Sequence, residues 1–494
     1  MNIYLVLQMA SDAMPDRVAV TNGDRSLTYA ELAEAARKLA ASLPEGHRIG
    51  YIDESDITAP VALFAAALRG TPYVPMNYRL AEDQIDALLM RITPATLITD
   101  KGFEIDDITL MPHQEVLDSG SLWEAEAPDE EGLIAIELFT SGTTGEPKSA
   151  ILRHDNLMSY ILGTVEFMSA DEEEAALLSV PPYHIAGISA VLSSTYLGRR
   201  MVQLPNFSPE EWLRLASTER ITNAFVVPTM LQRIIEHADE NGLPDLSAMR
   251  AIAYGGGKMP LSVIEKAMDM LPQVDFTNAY GLTETSSTIA LLDPEAHRAA
   301  YGSSDPLVRA RLASVGQPLP TIELEIRDED GTPCPAETPG DVFVRGDQVS
   351  GEYHGAGSML DAEGWFPTRD RGYLDAEGFL FLDGRADDVI VRGGENISPG
   401  EIEDVLINHE AVRDVAVLAI PDEEWGEAVG AVIVAEDDTN PPSEAILCDL
   451  VKDKLRSSRV PAKIIFKNEL PYNETGKLLR RLLRSEFETA QDEV

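Results

Sequence analysis

Cysteine is nearly absent from this chain: Cys334 and Cys448 are the only two in 494 residues. Two thiols cannot build a disulfide framework or a thiolate metal cluster, so the fold must stand on its hydrophobic core, and a reducing cytoplasm is the expected setting. Basic residues are scarce as well, 39 against 84 acidic ones, for a formal charge of −45. Such a charge repels nucleic acid and anionic lipid, which argues against both as general partners. No apolar run is long enough to span a bilayer, and the short apolar start from Met1 to Ala10 has no basic residues ahead of it, unlike a secretory signal. With 44% hydrophobic residues the composition is that of a globular protein, and the length implies two or more domains. A solubilising surface, or adaptation to a salty cytoplasm, accounts for the acidity better than a cationic partner does.

The strongest local signal is Phe139-Thr140-Ser141-Gly142-Thr143-Thr144-Gly145-Glu146-Pro147-Lys148. Thr140, Ser141, Thr143 and Thr144 supply hydroxyls, Gly142 and Gly145 let backbone N–H groups turn inward, and Lys148 adds charge, a combination suited to a polyphosphate. The preceding Leu133-Ile134-Ala135-Ile136 reads as a buried strand that holds this loop at a sheet edge. The spacing is not that of a Walker A loop, because Pro147 precedes the lysine. A polyanion in so acidic a chain needs local cations, and Lys452, Lys454, Lys463, Lys467 and Lys477 gather near the C-terminus.

Short apolar strands alternate with amphipathic helices through the N-terminal part, the pattern of an α/β fold. Thr28 and Glu31 are spaced as a capping box for a helix running to about Leu43. Further helices are expected over Ala59–Arg69 and Glu82–Ile92, with strands over Pro72–Pro75 and Ala95–Thr99. Between Val315 and Asp383 the texture changes to short strands punctuated by Gly, Pro and Asp, which reads as a small antiparallel β region. Ser398-Pro399-Gly400-Glu401 then supplies a second capping box with Pro at the first helical position.

Seven further motifs follow the loop in order: Pro181-Pro182-Tyr183-His184, Tyr254-Gly255-Gly256-Gly257, Asn278-Ala279-Tyr280-Gly281-Leu282-Thr283-Glu284, Gly364-Trp365-Phe366-Pro367-Thr368-Arg369-Asp370, Gly384-Arg385-Ala386-Asp387, Arg392-Gly393-Gly394-Glu395-Asn396-Ile397 and Glu474-Thr475-Gly476-Lys477. With them the chain resembles, over nearly its whole length, the adenylate-forming superfamily of acyl-CoA synthetases, peptide-synthetase adenylation domains and beetle luciferases. The acyl-CoA synthetase branch is the better match.

The resemblance implies a large N-terminal domain, residues 1–386, of two α/β subdomains plus a small β-barrel. A mobile small α+β C-terminal domain, residues 387–494, would follow. It also implies an ATP-dependent carboxylic acid–CoA ligase, forming acyl-AMP and then a thioester, with ATP, Mg²⁺ and CoA as partners. A hydrophobic acid and a role in fatty acid metabolism are the expectation, and a homodimer is allowed for. By the same resemblance the loop Thr140 to Lys148 holds the β- and γ-phosphates, Glu284 ligates Mg²⁺ and Thr283 lies near the α-phosphate. Tyr280 would stack on adenine, Asn278 bond its amino group, and Gly255, Gly256, Gly257, Ala279 and Gly281 give the nucleotide a close backbone. Asp370 and Arg385 would hold the ribose, and Lys477 would bridge the acyl carboxylate and the α-phosphate, where charge must be relieved.

Asp387 falls at the family's hinge, and Arg392, Gly393, Gly394, Glu395, Trp425 and Arg459 are the expected CoA contacts. The acyl pocket would be lined by His184, Ile185, Ala186, Phe225, Tyr254, Gly256, Ala279 and Thr285, with His184, neutral or near its charge-switching range, as a gate or a packing residue. Three residues depart from the family pattern: Ser149 and Arg369 stand where glycine is usual, and Lys258 where a small residue or proline is common. Two other activities stay open on the residues alone: an adenylating enzyme that loads a carrier protein, and a catalytically silent nucleotide-binding homologue.

Overall fold

The computed structural model describes residues 1–118, 120–140, 148–385, 388–392, 395–422, 425–473 and 478–489. They form two compact units, Met1–Glu323 with Val344–Phe366, and Leu324–Phe343 with Pro367–Val494. These units are defined by packing, whereas the boundary expected at 386/387 is one of motion.

The first unit is built on two sheets. One has nine strands, in the order Gln317–Pro318, Ser287–Leu292, Asp275–Leu282, Ala251–Gly255, Asn223–Val226, Ala175–Leu178, Arg200–Gln203, Val18–Asn22 and Arg25–Thr28. Its central strands are parallel and its edges are closed by antiparallel pairs. The other has eight, in the order Gly357–Ser358, Glu352–Tyr353, Lys148–Arg153, Ile134–Thr140, Tyr73–Pro75, Arg48–Tyr51, Ala95–Ile98 and Ile108–Met111. Central strands of this kind are buried on both faces, which explains continuous apolar runs such as Ala95–Ile98, buried at every position. One core joins Val20 and Met201 of the first sheet to Ile49 and Ile136 of the second through helices that include Tyr29–Ser42 and Thr58–Arg69.

Local signals are obeyed here. The Thr28–Glu31 capping box forms with both of its hydrogen bonds, and the helix it starts ends at Ser42. The Glu82–Ile92 helix has the expected ends. The strand leading to the phosphate loop is longer than Leu133–Ile136 suggested and runs Ile134–Thr140, so Thr140 closes the ladder opposite Lys148.

The second unit holds almost all of a four-stranded sheet, ordered Glu323–Arg327, Gly340–Arg345, Phe366–Leu374 and Leu380–Arg385, where a small β-barrel is expected. Beyond it a five-stranded sheet centres on the long hairpin Val412–Asp422 and Gly426–Ala435. Alternate residues of this hairpin face different cores. Val417 and Ile433 meet the helices Pro399–Leu406 and Glu444–Lys454, while Leu418 and Val432 meet Leu483 and Phe487 of Arg480–Thr489. Ser398 is the N-cap of Pro399–Leu406, but the expected capping box does not form. Its hydroxyl donates instead to the Asp383 carbonyl at 2.5 Å, and the Glu401 carboxylate is taken by Arg459 at 2.7 Å.

Candidate nucleotide and acyl site

Strand alternation on Asn223–Val226, Ala251–Gly255 and Asp275–Leu282 builds the first feature of the site. Ala224, Ile252, Tyr254 and Phe276 face a core packed with helices, while Ala253, Thr277 and Ala279 point the other way and are only half-buried; Phe225 alternates with them in the strand and is half-buried too, but also packs against that core. Phe225 pairs with Ala253, Ala253 with Thr277, and Gly255 with Ala279, so these residues are neighbours across three strands. Half-buried side chains in the middle of a nine-stranded sheet leave this face incompletely covered, and small ones beside an aromatic ring give it a largely apolar floor.

Among the expected pocket residues, Phe225 and Ala279 line this floor. Ala186 is half-buried and Gly256 is exposed. Three others are placed elsewhere. Tyr254 is on the core face with its hydroxyl 2.8 Å from His297 Nε2, because alternation sets it opposite Ala253. Ile185 opens the helix Ile185–Leu197 and packs into the shared core. Thr285 is fully buried, its hydroxyl donating to the Ser287 carbonyl at 2.8 Å and accepting from the Leu282 N–H at 2.9 Å.

His184 is the N-cap of Ile185–Leu197, and its Nδ1 accepts from the Ala186 N–H at 3.3 Å. Burial lowers its pKa to about 4. The residue as a whole is only partly buried, so the helix cap is the firmer reason to hold the ring neutral: a protonated Nδ1 cannot accept, and a helix N-terminus disfavours positive charge. A gate worked by charge switching at neutral pH is therefore not what this geometry provides.

The strand Asp275–Leu282 carries Asn278, Ala279, Tyr280 and Gly281, expected to meet the nucleotide, and is followed by a one-turn helix, Thr283–Thr285. Asn278 is buried and its Nδ2 donates to the Ser314 carbonyl at 3.0 Å, which leaves the amide oxygen as the group able to accept from a base's amino group. Tyr280 is also buried, at 8% exposure, so only a small part of its ring could meet a base. The glycines have a reason other than ligand approach. A Cβ on Gly255 would lie 2.2 Å from the Ala279 carbonyl oxygen, and one on Gly281 would lie 1.8 Å from that of Ser287. Neighbouring strands need that space. Gly256 has φ +83°, where a side chain is strained, and Gly257 is exposed.

Glu284 is half-buried, and one carboxylate oxygen accepts from the Tyr353 hydroxyl. Its backbone carbonyl accepts from the N–H groups of Ser350 and Gly351 at 2.9 and 3.0 Å. Thr283 beside it is partly exposed. Lys148 lies with Nζ 5.6 Å from the centre of the Tyr353 ring, and the Thr140 hydroxyl reaches the Lys148 carbonyl at 3.4 Å. Ser141, Gly142, Thr143, Thr144 and Gly145 lie outside the described residues. Among the described residues no three His, Cys, Asp or Glu side chains are grouped to cage a metal. A single hard carboxylate fits Mg²⁺ that is held mainly by phosphate and water, the binding mode magnesium favours.

Ser149 is accounted for by a residue that sequence reading passed over. It is buried, and its hydroxyl donates at 3.3 Å to Glu137, a buried carboxylate that also meets Arg48 at 3.3 Å. Glycine there would leave that carboxylate one donor short.

In the second unit, Asp370 and Arg385 are cross-strand partners, with Nε 2.9 Å from the carboxylate. Arg369 is exposed and has φ +63°, a conformation that suits the glycine usual at this position. Three of the residues expected to contact CoA, Arg392, Glu395 and Arg459, are engaged within the second unit. Arg459 is largely covered and held by both Glu395 and Glu401, and it keeps the Glu395 carboxyl below its ordinary range. Arg392 donates to the Ser458 carbonyl at 2.9 Å and lies 5.8 Å from the ring of Trp425, which is 45% exposed. Gly393, Gly394, Asp387 and Lys477 lie outside the described residues. No helix among the described residues is long and apolar enough to cross a membrane.

A family model described as AMP-binding enzyme matches residues 7–354, and one described as AMP-binding enzyme C-terminal domain matches residues 401–477. A 2-succinylbenzoate–CoA ligase of Bacillus licheniformis is 32% identical over 493 residues, covering 97% of this chain and 98% of that protein. The o-succinylbenzoate CoA synthetase of Bacillus subtilis, solved with its acyl-adenylate intermediate, superposes with a TM-score of 0.83 at 29% identity, covering 98% of each chain. The same synthetase solved with ATP and a magnesium ion also gives 0.83 at 29% identity, covering 98% of this chain and 99% of that one.

Proposed function

The chain belongs to the AMP-binding enzyme family, in its carboxylic acid–CoA ligase branch, and from that premise we propose that its acid is aromatic, of the 2-succinylbenzoate type. It is an ATP-dependent, AMP-forming ligase that uses Mg²⁺ and CoA. A carboxylate is a poor electrophile and the α-phosphorus is ringed by negative oxygens, so the protein's work is alignment and charge relief rather than nucleophilic attack. When bound, magnesium supplies positive charge at the phosphate oxygens. Thr140, Lys148 and Glu284 are the described residues of the first unit that would hold the triphosphate and its metal. Lys477 and Asp387 keep the roles their motifs suggest, charge relief at the α-phosphate and the pivot of the C-terminal residues.

The observation that carries the choice of acid is the floor of Phe225, Ala253, Thr277 and Ala279. Its small side chains suit a flat ring lying against Phe225. Apolar lining alone leads to the expectation of a hydrophobic acid, with fatty acid metabolism as its setting; the acids named for the relatives are succinylbenzoates, and an aryl acid agrees with both observations. The test measures pyrophosphate release and thioester formation with 2-succinylbenzoate, benzoate and medium-chain fatty acids, with CoA or with a carrier protein. Turnover of 2-succinylbenzoate at least ~100-fold above any fatty acid, with CoA as acceptor, is the expected result, on the scale of a few kcal/mol of pocket discrimination. Preference for a fatty acid would overturn the assignment of the acid. Transfer to the carrier alone would overturn the acceptor.

A further inference from the structure

Outside the residues its family motifs supplied, the segment Gln348 to His354 is bonded to both sides of the proposed triphosphate site. Gln348 is fully buried, and its Nε2 donates to the carbonyls of Thr285 and Thr288 at 3.1 and 2.7 Å. Ser350 and Gly351 hold the Glu284 carbonyl, and the Ser350 hydroxyl donates to the Ile151 carbonyl. Glu352 takes Nε and Nη2 of the Arg153 guanidinium at 2.9 and 2.8 Å. Tyr353 pairs with Ala150, and the His354 N–H reaches the Ser149 carbonyl at 2.8 Å. One short segment thus ties the Thr283–Thr285 turn to the strand Lys148–Arg153. The turn needs such support, because Ser286 and Ser287, directly after it, have φ of +57° and +116°. Side chains hold such backbone only when their surroundings over-determine it.

We infer that Tyr353 is a positioning residue for adenylation, its hydroxyl setting the Glu284 carboxylate and its ring the Lys148 ammonium toward the metal-bound triphosphate. The inference rests on the proposed role of Glu284. A hydroxyl that donates to one carboxylate oxygen fixes the rotation of the group and leaves the other oxygen to face a cation. A ring within about 6 Å of an ammonium restrains it without neutralising it, which salt-bridging would do. Tyr353 is therefore the one described side chain that contacts both the acidic and the basic partner of the nucleotide.

The test compares the full-length wild-type chain with Tyr353→Phe and Glu284→Gln. Binding of ATP is measured by calorimetric titration across a range of Mg²⁺ concentrations, with AMP in the absence of metal as the control. Tyr353→Phe keeps the ring and should fold. Loss of one hydrogen bond to a charged group is expected to weaken Mg²⁺-dependent ATP binding by about tenfold, with AMP affinity and melting temperature unchanged. The Mg²⁺ concentration that half-saturates pyrophosphate release should rise in parallel. If Glu284→Gln shifts the Mg²⁺ dependence and Tyr353→Phe does not, the inference fails while the site stands. If neither shifts it, the assignment of Glu284 fails first. A Tyr353→Phe variant that binds AMP and Mg²⁺·ATP equally poorly would mark a merely structural role and also overturn the inference.

Discussion

Replacing Gly255 by alanine separates two reasons for a glycine at a nucleotide site. Gly255 sits opposite Ala279 in a parallel ladder, and its added methyl would fall 2.2 Å from the Ala279 carbonyl oxygen. Carbon–oxygen contacts settle at about 3.3 Å or more, so the strands would have to part by about 1 Å at that point. Overpacking of that kind costs roughly 1–3 kcal/mol, and a weakened ladder hydrogen bond adds about 1, for a total near 3 kcal/mol. With an unfolding entropy of ~2.1 cal/mol/K per residue over roughly 350 residues of the first unit, the melting temperature should fall by about 4 °C. Gly256→Ala is the contrast. Its strain comes from φ +83° at an exposed residue, costs about 1 kcal/mol, and should lower melting by no more than ~1–2 °C. Scanning calorimetry of both variants, alongside nucleotide titration, reads the difference. A Gly255→Ala protein that melts like the wild type but has lost nucleotide affinity would refute the strand-packing explanation.

Stability should also depend on His154. Burial, together with the nearby Met1 ammonium, lowers its pKa to about 4, and its Nδ1 accepts from the Ile3 N–H at 3.2 Å. The unfolded chain binds the proton more readily, so stability is lost as pH falls from about 6.5 toward 4, by up to about 3 kcal/mol. Urea midpoints at pH 7.5, 6.0 and 5.0 should show this loss, and His154→Gln should reduce the slope; an unchanged slope would show that His154 does not carry it. Arg369→Gly relieves about 1 kcal/mol of backbone strain but restores a similar amount of unfolded-state freedom, so melting should stay within about 1 °C. Its effect should instead fall on ATP affinity, through loss of an exposed cation beside Asp370; stabilisation by several degrees with unaltered binding would show that the side chain contributes only strain.

What was legible in the sequence was local. The Thr28–Glu31 box and the ends of Glu82–Ile92 depend on residues a few positions apart, and they formed as read. Failures came where a distant partner intervened. Ser398 has the right spacing for a capping box, but the Asp383 carbonyl is a closer acceptor, and Arg459 claims the glutamate. Tyr254 sits inside a glycine motif, yet the face it takes is set by register with Phe225, Ala253 and Thr277. Tyr353 was missed because its partner Glu284 is 69 residues away and its ring contact depends on two strands being paired. The motifs were enough to identify the family, because each lies within a short stretch of sequence, while a residue such as Tyr353 that acts through a distant partner carries no such mark.

The charge problem raised by −45 has a structural answer that the lysine cluster did not suggest. Lys467, one of that cluster, is bound to Glu486 at 2.6 Å and is not a spare cation. Several of the described acidic side chains next to the nucleotide motifs are engaged. Glu137 is held by Arg48 and Ser149, Glu352 by Arg153, and Asp370 by Arg385. Glu284 is held by a neutral hydroxyl, which steers it without cancelling its charge, as a magnesium ligand requires. The departure at Ser149 belongs to the same pattern: with Glu137 buried beneath the phosphate strand, glycine would leave a carboxylate less well satisfied beside a polyanion. At these described positions acidity is tied down beside the expected phosphate site, while on the exposed surface solvent and counterions screen it.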